Sequence, residues 1–544
     1  MHDALTFSKN NYYGTARSIG MGNAMTAVGG DLGSIGINPA GSAVAGYSQF
    51  TITPNLTVSV LNSSYSAYPD ANGNDTFLNE RNNTLTRFSM PNIGTTFNFN
   101  TGRSYGLKSV TYGFTFNGTN NFTDKMMAGG INNKSSYIGS IASWATRDAW
   151  HIDYLNGFMD KDGNRTDSKG NKFDVWDNAY YDGRASWNQI VNAQAGAIAV
   201  FGDEKEPDYP FRYIGATELY KDKGEVDEKG NHLYNIFLGG PLDQTYGRRV
   251  TGSKYDALLN AGFNFNDVFY LGVNLGITGL NYNFDEYFKE FAQDPADFPI
   301  GGDVNFDNYR TRYSYTADGT GVYGKIGFIA KPFEGLRIGA AVQTPTWMNI
   351  NESWKHAVDI HYKGASAKDG NATTPEGKYE YELRSPYRMN AGIAYTFMGM
   401  GLVSLDYEMT DYATMKFSSK EYADDTFRQV NDDIADCMGI SHMLRLGAEF
   451  KPAPEFAVRA GYNFATVPVK ENGRTTRDKT NVFSVGLGYS SSGSFFTDLS
   501  ARFSSLSDEY VSPYSYPAED KMDAPLILNK RNLWDISATI GFRF

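Results

Sequence analysis

The residues whose types and spacing come nearest to a chemical site lie in the polar stretch "DKDGNRTDSKGN". Asp160, Asp162 and Asn164 have the spacing of the first ligands of a calcium-binding loop. Arg165, however, replaces the glycine that such a loop needs for its sharp turn, and Asn171 replaces its final glutamate. The stretch is therefore expected to be a solvated turn, and we predict no metal site from it.

Other residues that carry chemistry are sparse. The chain has six histidines, and the pair His356 and His361 does not have a ligand spacing. Cys437 is the only cysteine, which excludes an intrachain disulfide and a multi-cysteine metal site. The sequence contains no G-x-S-x-G nucleophile motif, no H-E-x-x-H zinc motif and no phosphate loop. We therefore predict a protein that is not an enzyme and that has no cofactor.

The composition narrows the class of protein further. Acidic residues outnumber Lys plus Arg by 61 to 49, so there is no general basic surface for nucleic acid. No stretch approaches the roughly 18 apolar residues of a transmembrane helix. The 37 Tyr, 36 Phe and 57 Gly suit many short strands. The first residues show no signal peptide, and we expect the numbering to be that of a mature chain.

The alternation of the last eleven residues, "WDISATIGFRF", predicts a strand with one apolar and one polar face. Two environments produce such a strand. In a soluble sandwich the apolar face belongs to the core, whereas in an outer-membrane barrel it meets lipid. A single strand does not distinguish between them.

The order of turns and loops decides between these environments. From residue 253 onward, alternating segments form hairpins with tight turns, such as the one at Asn266 and Asp267. The connections between the hairpins are long and polar, over residues 285–318, 353–379, 418–440, 466–480 and 507–531. Short periplasmic turns and long extracellular loops are typical of a membrane barrel. We predict an all-β fold, a transmembrane antiparallel β-barrel of about 14 strands.

Two regions fall outside the strand pattern. Residues 1–46 are rich in Gly, Ala and Asn, and residues 47–544 make up the barrel. Within the barrel, residues 123–252 are predicted to be a long extracellular insertion. Its apolar patches "SSYIGSIASWAT" and "SWNQIVNAQAGAIAVF" are long enough for short helices.

The segment "YYGTARSIGMGNAMTAVGGDLGSIGINPAGSAVAG" resembles the hatch of the FadL family of outer-membrane channels for long-chain fatty acids and other hydrophobic compounds. "MPNIG" and "LDYEMTDY" in the predicted second and ninth strands resemble the family as well. The resemblance implies an N-terminal hatch inside the barrel, helical extracellular loops with a hydrophobic groove, and a kinked third strand that opens sideways. It also implies the outer membrane of a Gram-negative bacterium. The insertion exceeds the usual family loop.

The resemblance and the composition give candidate site residues. The hatch residues are predicted to form a gate, with a static plug as the alternative: Gly20, Gly22, Asp31, Asn38, Pro39, Ala40 and Gly41. The apolar patches are predicted to capture ligand, or else to pack on each other: Tyr137, Ile141, Trp144, Ile190, Ile198 and Phe201. Asn117 and Gly118 are candidates for the lateral opening, with the end of the strand as the alternative, because a glycine within a strand often marks a bend.

Two further expectations concern the lumen and the carboxy-terminus. If apolar residues face lipid, the inward set of the later strands carries many paired charges rather than a greasy surface. The terminal Phe544 resembles the aromatic signature by which the barrel-assembly machinery recognises its clients.

Two functions follow as expectations. The first is passive uptake of hydrophobic small molecules such as long-chain fatty acids, with outer-membrane lipid around the barrel. The alternative is a structural or assembly subunit of an outer-membrane biogenesis or secretion complex, with other outer-membrane proteins or lipoproteins as partners. A fold-level resemblance does not choose between them.

Overall fold

The structure is a computed structural model that describes residues 2–67, 76–148, 158–166, 170–172, 174–176, 185–201, 212–226, 232–397, 399–419, 424–471, 474–475, 479–491, 493–520 and 522–544. The remaining parts of the predicted insertion and of the predicted loops lie outside these residues.

Fourteen long strands of the described chain form one antiparallel sheet, which closes because the first strand pairs with the last. The strands are β1 Gln49–Ser66, β2 Leu78–Asn100, β3 Leu107–Asn132, β4 Leu242–Phe265, β5 Phe269–Ala292, β6 Val304–Phe333, β7 Leu336–Gln343 with Trp347–Lys363, β8 Gly377–Arg384 with Arg388–Phe397, β9 Gly401–Asp411, β10 Ile440–Ala453, β11 Phe456–Thr466, β12 Lys479–Ser490, β13 Phe495–Ser505 and β14 Leu526–Arg543. The predicted fold class and strand number are confirmed.

Shorter elements complete the described chain. The helices are α1 His2–Ser8, α2 Ala16–Gly20, α3 Gly41–Val44, α4 Tyr137–Arg147, α5 Trp187–Gln194 and α6 Arg428–Cys437, with 3-10 turns at Leu32–Gly36, Pro295–Asp297, Tyr412–Thr414, Asp424–Phe427 and Ala518–Asp520. Short strands extend the barrel edge at Pro299–Gly301, Gly370–Thr373, Lys416–Ser418 and Glu509–Val511. Small two-stranded sheets pair Phe158–Met159 with Arg165–Thr166, Ile198–Phe201 with Arg212–Gly215, Glu218–Val226 with His232–Leu238, and Lys470–Glu471 with Arg474–Thr475.

The exposure of the two strand faces shows whether the alternation is that of a soluble sandwich or that of a membrane barrel. On β14, Trp534 is 47% exposed and Ile540 is 44% exposed, whereas Asp535 and Thr539 are buried inside the barrel. The other strands also carry exposed apolar side chains, for example Leu275 on β5 and Val485 on β12. A soluble sandwich would bury these side chains, so the outward apolar band marks the part of the barrel that crosses the membrane.

The structure agrees with the predicted tight turn at Asn266 and Asp267 but not with the predicted long loop over residues 285–318. Asn266 and Asp267 both have positive φ, of 59° and 58°, as expected for a two-residue hairpin turn. The predicted loop over residues 285–318 is mostly strand, because β5 continues to Ala292 and β6 begins at Val304. These strands stay paired on the extracellular side of the outward apolar band. There the Ser314 hydroxyl donates a hydrogen bond to the Asp285 carboxylate across the two strands (2.8 Å).

The insertion is shorter than predicted for the same reason. Strand β3 continues to Asn132 and β4 begins at Leu242, so residues 123–132 and 242–252 belong to the ladder between these strands. Their backbone groups are satisfied by the pairing, which does not require a membrane-type alternation. The insertion proper therefore lies between residues 133 and 241.

No helix within the described ranges is long and apolar enough to cross a membrane.

The residues between α2 and α3 fill the barrel lumen and lie against glycines of the wall. A Cβ atom at any of these wall glycines would overlap or crowd the hatch or an adjoining wall side chain: Gly262, Gly272, Gly327, Gly339, Gly392, Gly447, Gly461 and Gly486. They come from strands β4 to β8 and β10 to β12, and we call them the glycine belt. The belt lets the hatch backbone approach the wall backbone directly.

The belt generates a stability prediction. In a Gly272→Ala variant the new methyl group would overlap the backbone of Pro39 and Ala40, so we expect a loss of about 1–3 kcal/mol. The matched control is Gly324→Ala, whose Cβ would have its nearest neighbour at 3.9 Å. The measurement is the temperature at which the purified barrel converts from folded to unfolded mobility on a gel. Equal midpoints for the two variants would contradict a tight belt.

Candidate functional site

The hatch residues predicted from sequence are all buried, and they hold the hatch together from within. The Asp31 carboxylate accepts hydrogen bonds from the Thr15 hydroxyl (2.6 Å) and the Gly33 N–H (2.8 Å). The Asn38 amide donates to the carbonyl of Thr26 (2.7 Å) and to that of Phe328 on β6 (2.9 Å). Asn38 therefore joins two turns of the hatch to the wall.

The remaining predicted hatch residues are packing positions. Gly22 has φ of 63°, and a Cβ there would lie 2.8 Å from the Asn463 Oδ1 atom, so only glycine fits. Gly20 and the Pro39–Ala40 turn touch belt glycines, and a Cβ at Gly41 would lie 2.6 Å from the Ser34 hydroxyl. Whether these residues move as a gate or stay as a static plug remains a prediction.

The lumen around the hatch is charged, as the inward set predicted. Glu449 accepts from Arg17 of the hatch (2.9 Å) and from Arg459 (2.6 Å), and Arg459 also donates to Asp498 (2.6 Å). A second buried pair joins Arg445 to Glu408 at 2.9 Å, and a third joins Arg502 to Asp535 at 2.7 Å. Such pairs stiffen the wall, and they leave the hatch level without an apolar path.

An apolar chamber lies above the hatch and contains helix α1. The Phe7 ring is fully buried and meets the Tyr282 ring edge-on, with centroids 5.4 Å apart. Apolar side chains from six barrel strands and from α6 surround α1: Phe122, Val250, Leu280, Tyr282, Ala317, Met348, Ile350, Tyr381, Leu383, Ile434 and Met438. The helix thus occupies an apolar part of the lumen.

Two buried cations hold the carboxy-terminal end of α1. The Lys254 ammonium donates to the carbonyls of Phe7 (2.8 Å) and Lys9 (3.3 Å) and to the Asn10 side chain (2.9 Å). The Arg388 guanidinium donates to the Ser8 carbonyl. Positive groups at this end are favourable because the last carbonyls of a helix carry partial negative charge. The chamber therefore has an apolar body and a cationic lower end, which is formed by Lys254 and Arg388 and which we call its base.

The barrel wall is interrupted beside this base. The ladder between β2 and β3 begins at Asn100 and Ser109 and ends at Asn92 and Asn117, although both strands continue. Beyond that point, Gly118 accepts a backbone hydrogen bond from Tyr13 of the hatch (2.9 Å). Strand β3 then turns inward, and its Asn121 side chain donates to Thr57 on the inner face of β1 (2.9 Å).

The interruption is filled in this structure. A cavity of about 10 Å³ remains between Tyr12, Tyr13, Asn117 and Gly118, which is room for about one water molecule. Asn117 and Gly118 thus lie where β2 and β3 part, and their role as a lateral opening stays a prediction.

The extracellular insertion forms a cap over the chamber, and its candidate capture residues are mostly internal. Tyr137, Ile141, Ile190, Ile198 and Phe201 are buried, and Trp144 is partly exposed. The first patch contains most of helix α4, and the second begins with α5 and ends as the strand Ile198–Phe201. Packing of the patches on each other is what the structure shows, and ligand capture by them stays a prediction.

Two carboxylates, those of Glu290 on β5 and Glu218 in the cap, lie against the first turn of helix α4. Glu290 is fully buried, and it accepts from the backbone N–H of Tyr137 and from the Gln244 amide, both at 2.7 Å. Glu218 accepts from the Gly215 N–H at 2.8 Å. Burial raises the pKa of the Glu218 carboxyl to about 7, against the opposing effect of that hydrogen bond.

The two other sequence motifs lie in a turn and in a barrel strand. Asp160 accepts from the backbone N–H groups of Asp162 (2.9 Å) and Asn164 (2.7 Å), as in a solvated turn. His356 and His361 lie five residues apart on β7, so their side chains point to opposite faces. The described residues include no cluster of three or more groups that would hold a metal.

Lys254, Arg388 and Glu290 were not identified from the sequence. Each is one of several charged residues in its strand, and the groups that it bonds lie far along the chain. Helix α1 was missed as well, because seven residues are too few for a periodic signal. Phe544 directly follows β14, where its backbone pairs with Ser48, and its role in assembly stays a prediction.

Protonation of Glu218 gives a testable prediction. A folded pKa near 7, above the ordinary 4.5, means that its stabilising effect is complete below about pH 4.5 and is lost as the pH rises through 7. We expect the first turn of α4 to lose roughly 1 kcal/mol of protection between pH 6 and pH 8. The measurement is hydrogen exchange corrected for the intrinsic rate.

The Glu218→Gln variant should not show this loss, and Glu225→Gln, at the exposed end of the same strand, should behave as the parent protein. Equal losses in the parent and in Glu218→Gln would contradict the assignment.

No protein-family model and no curated protein matches the sequence. Among solved structures, a FadL homologue of Pseudomonas aeruginosa aligns with 98% of this chain and 99% of its own, with 11% identity and a TM-score of 0.50. The toluene transporter TodX of P. putida aligns over 99% of both chains (10% identity, TM-score 0.47), and the toluene transporter TbuX of Ralstonia pickettii over 97% and 98% (12%, 0.44). The resemblance inferred from the hatch motif is confirmed at the level of the fold: this chain has the fold of the FadL homologue.

Proposed function

We propose that the protein is an outer-membrane channel of a Gram-negative bacterium for the passive uptake of hydrophobic small molecules, such as long-chain fatty acids. One observation carries the proposal: helix α1 fills an apolar chamber whose base adjoins the interruption between β2 and β3. A molecule that replaced α1 would lie in the chamber and leave sideways through the wall.

The chemistry of the chamber supports an amphiphilic ligand. Its body is lined by aromatic and aliphatic side chains, which favour an apolar tail. Its base carries Lys254 and Arg388, which bond carbonyl and amide oxygens of α1 and of the residues after it. Arg388 also lies near the Tyr412 hydroxyl and 3.8 Å from Glu408. A carboxylate would be a stronger acceptor for both cations than these neutral oxygens.

The lower lumen supports a sideways exit. At the level of the glycine belt the hatch meets the wall backbone to backbone, and buried ion pairs surround it. An apolar molecule would have to displace these pairs to pass downward, which leaves charged groups unpaired. We therefore propose that residues 2–14 move and that the rest of the hatch, residues 15–46, stays in place. We call residues 15–46 the lower hatch, and the residues that hold it are Gly20, Gly22, Asp31 and the Asn38–Gly41 turn.

A structural or assembly subunit is the second candidate. It is favoured by the small size of the cavity at the interruption, about 10 Å³, and by the large cap. Native mass spectrometry of the protein extracted in mild detergent distinguishes the two functions. A bound amphiphile of lipid mass supports the channel, and a stoichiometric protein partner without such a ligand supports the subunit.

The channel function predicts opposite effects for two substitutions in the chamber. Leu280→Arg places a charge on the chamber wall and should lower oleate uptake at least tenfold, whereas Phe7→Ala removes the main apolar anchor of α1 and should raise it. The measurement is uptake of labelled oleate by cells that lack other uptake channels.

The matched control is Asn281→Arg, because this residue is the neighbour of Leu280 on β5 and faces outward. Heat-modifiable gel mobility checks that each variant is folded. Unchanged uptake in both chamber variants, or no uptake by the parent protein, would exclude this function.

A further inference from the structure

A second cavity lies at the opposite end of the lumen, between the hatch and the wall. It has a volume of about 230 Å³ and is reached from the side of the short turns, which is the periplasmic side. The hatch contributes Arg17 and residues 28–30, and the wall contributes Arg337 at the start of β7, the β8–β9 turn and Lys451 at the end of β10. The glycine belt and the lower hatch separate this cavity from the apolar chamber.

The charged groups of this cavity do not balance. Its lining includes the cations Arg17, Arg337 and Lys451 but only one carboxylate, that of Glu449. Glu449 is already bonded by Arg17 (2.9 Å) and by Arg459 from outside the lining (2.6 Å). The cavity therefore has a surplus of positive charge.

Arg337 contributes most directly to this surplus of positive charge. Its Nη1 atom donates to the Val28 carbonyl at 2.6 Å, which uses one of the five N–H donors of the guanidinium. Within the described part of the chain, no carboxylate lies at ion-pair distance from Arg337 or from Lys451. The other lumen arginines mentioned above each lie beside Glu or Asp.

Besides Arg337 and Lys451, Tyr47 lines the cavity, and its hydroxyl is a third polar group that can bind an anion. The Tyr47 ring lies beside the Arg543 guanidinium, 5.2 Å from ring centroid to carbon, so a further cation lies close to the site. A planar guanidinium, an ammonium and a hydroxyl are the donors that proteins use for carboxylate and phosphate groups.

We propose that this periplasmic cavity binds a compact oxyanion, a carboxylate or a phosphate group, through Arg337, Lys451 and Tyr47. The anion would take the unused N–H donors of Arg337 and offset the surplus charge. It would also bridge the wall to the hatch, because Arg337 is bonded to the hatch at Val28. The site goes beyond the proposed uptake function, since it lies on the other side of the lower hatch and involves no residue of the chamber.

Two sources can supply the same chemistry. One is a free small anion of the periplasm, and the other is the head group of an amphiphile. Inorganic phosphate and butyrate represent the first source, because neither has a tail that would hold it elsewhere in the lumen. Decanoate represents the second.

The test is calorimetric titration of the purified full chain in a non-ionic detergent, with ionic strength held constant by chloride. We expect Arg337→Gln and Lys451→Gln to weaken binding at least tenfold. Arg337→Lys keeps the charge but loses the planar fork, and it should fall between the parent protein and Arg337→Gln. Lys530→Gln, an exposed cation on the extracellular half of β14, is the matched control and should bind as the parent protein does.

Each outcome of the titration either supports the anion site or overturns it. Binding of phosphate or butyrate that depends on Arg337 supports the site and identifies a free anion as sufficient. Dependence seen with decanoate alone supports the site and identifies an amphiphile head group. Binding that is the same in Arg337→Gln, Lys451→Gln and the control, or no binding of any probe, overturns the proposal.

Lys451 is exposed, so its variant tests the site even if Arg337→Gln fails to fold. The titration measures anion binding and not uptake, so its failure is distinguishable from failure of the channel function.

Discussion

The structure depends on one constraint, which is that the polar inner wall of the barrel has to be satisfied without bulk water. The hatch meets this constraint with its own backbone. Lys325 donates to the Gly36 carbonyl (2.8 Å), Arg337 donates to the Val28 carbonyl (2.6 Å), and Asp406 accepts from the Thr26 N–H (2.7 Å). Such bonds require close approach, and the glycine belt provides it. The wall sequence and the irregular hatch are therefore two halves of one hydrogen-bonded unit.

This unit divides the lumen into two parts with different chemistry. Below, buried ion pairs and backbone hydrogen bonds surround the hatch, and opening a path would break them at a cost of several kcal/mol. Above, α1 makes apolar contacts with rings and aliphatic chains, and Lys254 bonds the carbonyls at its carboxy-terminal end. The interruption between β2 and β3 lies where these two parts meet, next to Asn11 and Tyr13. The part of the hatch that we propose to move thus adjoins the part of the wall where β2 and β3 do not pair with each other.

The sequence predicted the features that follow from local alternation, and it failed where distant partners decide. The membrane band of β14 was readable because Ile536 and Ile540 alternate with Ser537 and Thr539. The paired lumen charges followed from the same alternation. The facing of Tyr137 did not, because its surroundings come from Phe288 on β5 and Tyr514 before β14. The ends of β3 and β5 were missed because above the membrane cross-strand pairing continues after the alternation has stopped.

The energetics of the chamber link the proposed function to ligand size. Helix α1 buries Leu5 and Phe7 there, and each such side chain is worth about 1.5–3 kcal/mol. A ligand that displaces α1 has to exceed this contribution together with the bonds to Lys254 and Arg388. An acyl chain contributes about 0.8 kcal/mol for each buried methylene, so roughly four to eight methylenes match the two side chains. A carboxylate can then replace the carbonyls at Lys254 and Arg388. If the proposed uptake function holds, a long-chain anion would therefore compete with α1 better than a single small ring, and the helix would act as a threshold for ligand length.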